Sequence, residues 1–211
     1  MIKKMFAVAA FAAMAPFTAH AALTTLTVAD GWPPVGSSGL GAVLFNAVAD
    51  NGVKVAMGAH AYKNGAFLPN DGVRNFHAQS GVYAPDGKNY ANWSFDFVYD
   101  IRGCQGCKVW LGIDTDSGFG VNYTDIDLLA FGLPTMLAES WNLEMAFLTT
   151  PGFNFNPYQP SSTTDFRLFV TSATGVTLAL SDITVNVPEP ASLALVGVAL
   201  AGLGMARRRR A

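Results

Sequence analysis

Between Trp93 and Ile101 every second residue is large and apolar: Trp93, Phe95, Phe97, Tyr99 and Ile101 alternate with Ser94, Asp96, Val98 and Asp100. Successive side chains of a strand leave on opposite faces, so a period of two predicts a strand with one buried and one mostly wet face. A chain built on this pattern needs a second layer to cover its apolar face. The same period returns at Val109, Leu111 and Ile113, at Trp141, Leu143, Met145 and Phe147, and at Phe166, Leu168 and Val170. It continues at Val176, Leu178 and Leu180 after the reversal Ala173-Thr174-Gly175, and closes with Ile183, Val185 and Val187.

Turn residues punctuate the front half at Asn51-Gly52, Asn64-Gly65, Asp71-Gly72 and Asp86-Gly87, and Val48 to Val55 reads as a hairpin around the first of them. The one helical candidate, Leu128 to Ala138, is interrupted by Gly132 and Pro134. Pro151 to Thr164, rich in Pro, Asn and Ser, reads as a surface loop. The expected fold is therefore all-β, a single β-sandwich of jelly-roll or immunoglobulin-like type, with closure into a barrel as the alternative.

The two ends are of a different character. Lys3 and Lys4, the apolar stretch Met5 to Phe17 and the small-x-small run Ala19-His20-Ala21 make residues 1–21 a secretory signal peptide, with cleavage after Ala21. At the other end Pro188-Glu189-Pro190 precedes an uncharged apolar run, Ala191 to Ala206, and then Arg207-Arg208-Arg209-Arg210. The two prolines keep the motif extended. Sixteen residues of helix span about 24 Å, close to the lower limit for crossing a bilayer. The arginines resist translocation and hold the C-terminus on the cytoplasmic side, which places the body, residues 22–187, outside.

This tail resembles the PEP-CTERM sorting signal of exopolysaccharide-producing Gram-negative bacteria, on Pro188, Glu189 and Pro190, the apolar helix from Ser192 to Ala206, and Arg207 to Arg210. The resemblance implies processing by exosortase, a membrane-embedded cysteine protease. Residues 188–211 would then be a temporary membrane helix and stop, cut near the motif, with the body passed on to the surface or the medium. The partners implied are exosortase, the Sec translocon that reads the signal peptide, the inner membrane as a transient anchor, and exopolysaccharide as neighbour.

Charge narrows what the body does. Six of the 13 basic residues lie in the two terminal signals and only Glu189 of the 15 acidic ones does, which leaves seven basic against fourteen acidic residues, a net of −7. Such a body is a poor nucleic-acid binder.

Its candidate chemistry is sparse. Cys104-Gln105-Gly106-Cys107 sits between two predicted strands; export into an oxidising compartment favours a local disulfide over a redox or zinc site. Asp114-Thr115-Asp116-Ser117-Gly118 resembles the start of a calcium loop, with Asp125 and Asp127 as further candidate ligands. However, Phe119 stands where an EF-hand needs Gly and Asp125 where it needs Glu. A solvated acidic turn is the plainer reading, and no cofactor is expected beyond that weak calcium candidate.

Glu139 and Glu144 lack a glycosidase frame, and an odd spacing on one strand would put them on opposite faces. His60 and His77 have no nucleophile elbow to serve. Of Trp32, Trp93, Trp110, Trp141, Tyr83, Tyr90, Tyr99, Tyr123 and Tyr158, most sit at alternating positions shared with Phe and Leu, which favours a core, while Trp32, Tyr83 and Tyr158 stand near turns and are the better candidates for an exposed sugar platform. The expectation is a non-enzymatic, exported structural or adhesive component of an exopolysaccharide-rich surface or biofilm. The alternatives are a carbohydrate-binding module, calcium-assisted or not, and after that a secreted hydrolase.

Overall fold

The computed structural model describes residues 22–32, 40, 43–63, 67–115, 120–149, 155–159, 161–189, 196 and 199–200. Nine strands carry the body: β1 (Phe45–Asp50), β2 (Val53–Ala61), β3 (Asn75–His77), β4 (Trp93–Asp100), β5 (Lys108–Asp114), β6 (Tyr123–Asp127), β7 (Met136–Trp141), β8 (Ser162–Thr171) and β9 (Thr177–Val187). The body also holds a single turn of α-helix, α1 (Ala146–Thr149), and the described tail residues 196 and 199–200 are helical.

The strands form two sheets, β1-β2-β4-β7 and β3-β9-β8-β5-β6. All neighbours are antiparallel except β3, which runs parallel to the end of β9. The all-β expectation holds. The signal-peptide residues, including Ala19 and Ala21, lie outside the described residues, as do Pro190, most of the expected tail helix and Arg207 to Arg210. Among the described residues no helix is long and apolar enough to cross a membrane.

The hairpin β1–β2 turns at Asn51-Gly52, both with positive φ, 49° and 77°, as the twist of a two-residue loop requires. The layers meet through the odd residues of β2 and β4 and the inward set of β5, β8 and β9. Val55, Met57, Phe95, Phe97 and Tyr99 are fully buried against Leu111, Phe166, Leu168 and Ile183. Phe95 stacks on Phe166 of the opposite sheet at 4.5 Å. One long side is stitched by side chains: Asn46 donates to the Asp182 carbonyl at 2.9 Å and Ser181 Oγ donates to the Asn46 carbonyl at 2.6 Å.

Three local expectations are corrected. First, β4 has no wet face, since Ser94, Asp96 and Val98 are as buried as their apolar neighbours. Leu40 and Val43, with Leu26 and Trp32 beside them, pack on Val98 and Ala56, so the segment before β1 folds back over the outer face of the four-stranded sheet. Gly58 permits the close pass there, because a Cβ on it would meet the Leu44 carbonyl and Val43. Trp32 is thus half-buried in a second core with Lys54 Nζ 5.6 Å above its ring, and is not a free platform.

Second, the strand expected from Trp141 to Phe147 ends at Trp141, and the interrupted helix Leu128 to Ala138 is a turn leading into β7. Buried Asn142 donates to the carbonyls of Ala91 and Trp93 and accepts the Ala91 N–H. That satisfies its amide only if the chain turns there.

Third, the segments expected as Val176 to Leu180 and Ile183 to Val187 form one strand, Thr177–Val187, with a bulge near its start. Val170 pairs with Ala179 and Thr171 with Thr177, leaving Leu178 as the extra residue of a bulge. Ala179, Ser181 and Ile183 therefore face inward, and Leu180 is 46 % exposed.

Cys104 and Cys107 form a disulfide across the β4–β5 turn, with Cα atoms 5.6 Å apart. Closing so short a loop contributes about 2 kcal/mol in the chain-entropy description.

Asp71 organises the turn into β3, accepting the N–H groups of Val73, Arg74 and Asn75. Slight burial pushes its carboxyl up, but these N–H bonds and the Asn75 amide prevail and hold it well below the usual carboxylate range. A depressed acid stabilises the fold above its unfolded pKa of about 3.9 and loses that contribution as pH falls toward the folded value. Asp71→Ala is expected to cost about 1 kcal/mol at neutral pH, discounted for exposure, with a deficit that shrinks below about pH 4 in urea melts.

Candidate functional site

Three places collect side chains that can do chemistry: the outer face of the five-stranded sheet, a buried polar pair in the four-stranded sheet, and the end of β9.

On the outer face, the even residues of β5 and β8's odd residues look away from the core. Trp110 lies between buried Val109 and Leu111, and Phe169 between buried Leu168 and Val170. They are cross-strand partners, with ring centroids 6.3 Å apart and planes only 16° from parallel. Trp110 Nε1 donates to Thr171 Oγ1 at 3.1 Å, which fixes the indole.

Cations stand at both ends of the pair. Lys108 Nζ is 5.3 Å from the Trp110 centroid, and the Arg167 guanidinium lies 5.1 Å from Phe169 and 4.0 Å from Tyr123. Each also meets a carboxylate: Arg167 donates to both oxygens of Asp125 and Lys108 sits 3.4 Å from Asp127. Burial, then the Asp165 carboxylate, push the Tyr123 hydroxyl up to about 12, so it stays a neutral donor at ordinary pH. Beside Trp110 is a groove of about 500 Å³ lined by the turn at Ser172, Ala173 and Gly175, Gly106 of the disulfide turn, and Lys108, Asp125 and Phe169.

This arrangement redistributes the calcium candidates. Asp125 and Asp127 are engaged by Arg167 and Lys108. Buried Asp114 accepts the Asn122 N–H at 2.8 Å across the β5–β6 hairpin. Asp116 lies outside the described residues. Among the described residues no group of three or more His, Cys, Asp or Glu side chains is placed to hold a metal ion.

The buried pair was not anticipated. His60 Nδ1 lies 2.7 Å from Asp96 Oδ2, with His60 4 % and Asp96 0 % exposed. Burial pushes the Asp96 carboxyl above its ordinary value, against the opposing pull of His60 and Ser140. Ser94 and Ser140 are the cross-strand neighbours of His60 and Asp96. Serine, histidine and aspartate thus share a face, but His60, Asp96 and Ser94 are sealed from solvent, which suits a structural pair and not a nucleophile. His77 is exposed on β3.

The remaining candidates separate. Glu139 lies in β7 and accepts the Ser140 N–H. Glu144 lies in the turn after it, its carboxyl raised by burial, lining a groove of about 630 Å³ with Asn89, Phe155 and Tyr158. The two glutamates therefore do not lie on one strand. Tyr158 is 63 % exposed, whereas Tyr83 is half-buried, edge-on to Tyr62 at 5.6 Å.

At the chain's end, Val187 is 4 % exposed and pairs with Ser162, and the Asn186 carbonyl accepts the Ala78 N–H. Pro188 and Glu189 follow at once, exposed and outside any strand. Residues 186–210 match the family described as the PEP-CTERM protein-sorting motif. The chain carries a PEP-CTERM sorting motif. Comparison with curated proteins finds no match for the chain. The PEP-CTERM motif makes the chain an exosortase-targeted, exported protein, bound through the membrane for the cell surface or the extracellular space. The match begins inside β9, so the PEP-CTERM segment is joined to the body without a spacer.

Proposed function

We propose that the chain is a non-enzymatic component of the polysaccharide-rich cell surface or biofilm matrix. It would be delivered by Sec export and a transient inner-membrane anchor, with exosortase removing the tail. The observation that carries this reading is the direct junction of the PEP-CTERM segment to β9, the strand that completes the core. The cut at Pro188–Pro190 would then release a body whose core is already closed. The acidic body and its two packed layers, read as a sandwich of the jelly-roll or immunoglobulin-like kind, suit a soluble scaffold. The sealed state of His60 and Asp96 and the separation of Glu139 from Glu144 favour a scaffold over a hydrolase.

The test is fractionation of the native host. The body is expected in the polysaccharide-bearing surface fraction and is released from it by enzymatic digestion of the polysaccharide. A body found free in the medium irrespective of polysaccharide content contradicts the matrix role.

A further inference from the structure

We propose that the groove beside Trp110 is a binding site for a neutral saccharide unit of a polysaccharide chain. The inference builds on the matrix role above and gives it a specific contact.

The shape and chemistry of the groove favour this occupant. A pyranose has an apolar face of C–H groups and a rim of hydroxyls, so it needs a fixed ring beside donors and acceptors. Trp110 is fixed by its bond to Thr171 and flanked by the near-parallel Phe169 ring. Asp125, Lys108, Thr171 and Ser172 line the same groove. Sites of this kind, apolar surface with a few convergent polar groups, bind small organic ligands.

Charge decides between neutral and acidic glycans. The two cations, Lys108 and Arg167, already face Asp127 and Asp125, so the groove presents no uncompensated positive charge. The acidic body repels a polyanion at longer range. Lys108 is 56 % exposed at its side chain, so it can swing off the indole and donate to a ring hydroxyl at little cost. A peptide would instead seek unpaired backbone groups, and β5 and β8 are each hydrogen-bonded on both sides.

The experiment is native affinity electrophoresis of the full chain in a polyoxyethylene detergent, which carries no sugar. Gels contain hydroxyethyl cellulose, dextran, galactomannan or alginate. At least one neutral gel is expected to retard the chain, and Trp110→Ala to weaken that retardation at least about tenfold. Thr171→Val, which frees the indole without truncating it, should weaken it several-fold at an unchanged melting temperature. Tyr158→Ala, an exposed aromatic at the other groove, should leave it unchanged.

Retardation by alginate alone, no retardation by any neutral gel, or equal retardation of Trp110→Ala and Thr171→Val with the parent overturns the site. A chain that is processed and matrix-bound yet ignores neutral gels removes the groove and leaves the matrix role standing. A chain retarded through Trp110 but absent from the polysaccharide fraction does the reverse.

Discussion

His60→Ala is expected to destabilise the body by about 3–5 kcal/mol. The substitution leaves Asp96, wholly buried, without the imidazole 2.7 Å away that compensates it, and adds a cavity between β2 and β4. The deficit depends on pH with a definite sign. Burial already holds the Asp96 carboxyl above its ordinary value, and loss of His60 removes a pull in the other direction. An acid whose folded pKa is raised costs nothing where both states are protonated, and destabilises the fold as pH rises through the folded value. The deficit of His60→Ala should therefore be smaller near pH 4 than near pH 7. Replacing both residues, His60→Leu with Asp96→Leu, should recover most of the loss, since an apolar pair leaves no buried group unpaired. Urea melts of His60→Leu, Asp96→Leu and the double variant check this. Simple addition of the two single losses in the double variant would contradict it.

Deleting residues 188–211 is expected to change where the chain goes without changing how the body folds. Val187 is the last buried residue among those described, and its pairing with Ser162 completes the β8–β9 ladder. The truncated body should melt within about 0.5 kcal/mol of the full chain, as surface changes do. In the host, by contrast, the membrane-held precursor proposed above should vanish, because the apolar run and its arginine stop are gone. Unchanged size and location after the deletion would contradict the role assigned to the tail. A cut a few residues earlier behaves differently: removing Val185 and Val187 opens the core and strips β3 of its partner.

Much of the fold is legible in the sequence, because strand periodicity is a local property. The alternation around β4, β5 and β8 and the Asn51-Gly52 turn read directly into elements. What was hidden depends on distant parts of the chain. The burial of Ser94 and Asp96 follows from the segment before β1 crossing the sheet, which no window around β4 contains. The end of β7 at Trp141 follows from the Asn142 amide reaching back to Ala91 and Trp93. The bulge at Leu178, one residue into β9, puts Ala179, Ser181 and Ile183 inward where the period from Val176, Leu178 and Leu180 pointed to the even positions.

The groove had a signal that went unread. Trp110 and Phe169 each stand out of phase with the apolar residues on either side, so parity alone turns both outward. Counting aromatics as core by their segment, and not by their phase, concealed the pair. The sorting motif was legible because Pro188-Glu189-Pro190 and the residues around it, all within the matched segment 186–210, are local in the chain.

We propose that this body is exported on a temporary tether and released at Pro188-Glu189-Pro190. Intact mass of the protein recovered from the host's surface and medium tests it most directly. The expected product begins at Ala22 and ends at or beside the Pro188–Pro190 motif, with the disulfide closed. Exported material that still carries Arg207 to Arg210 would contradict it.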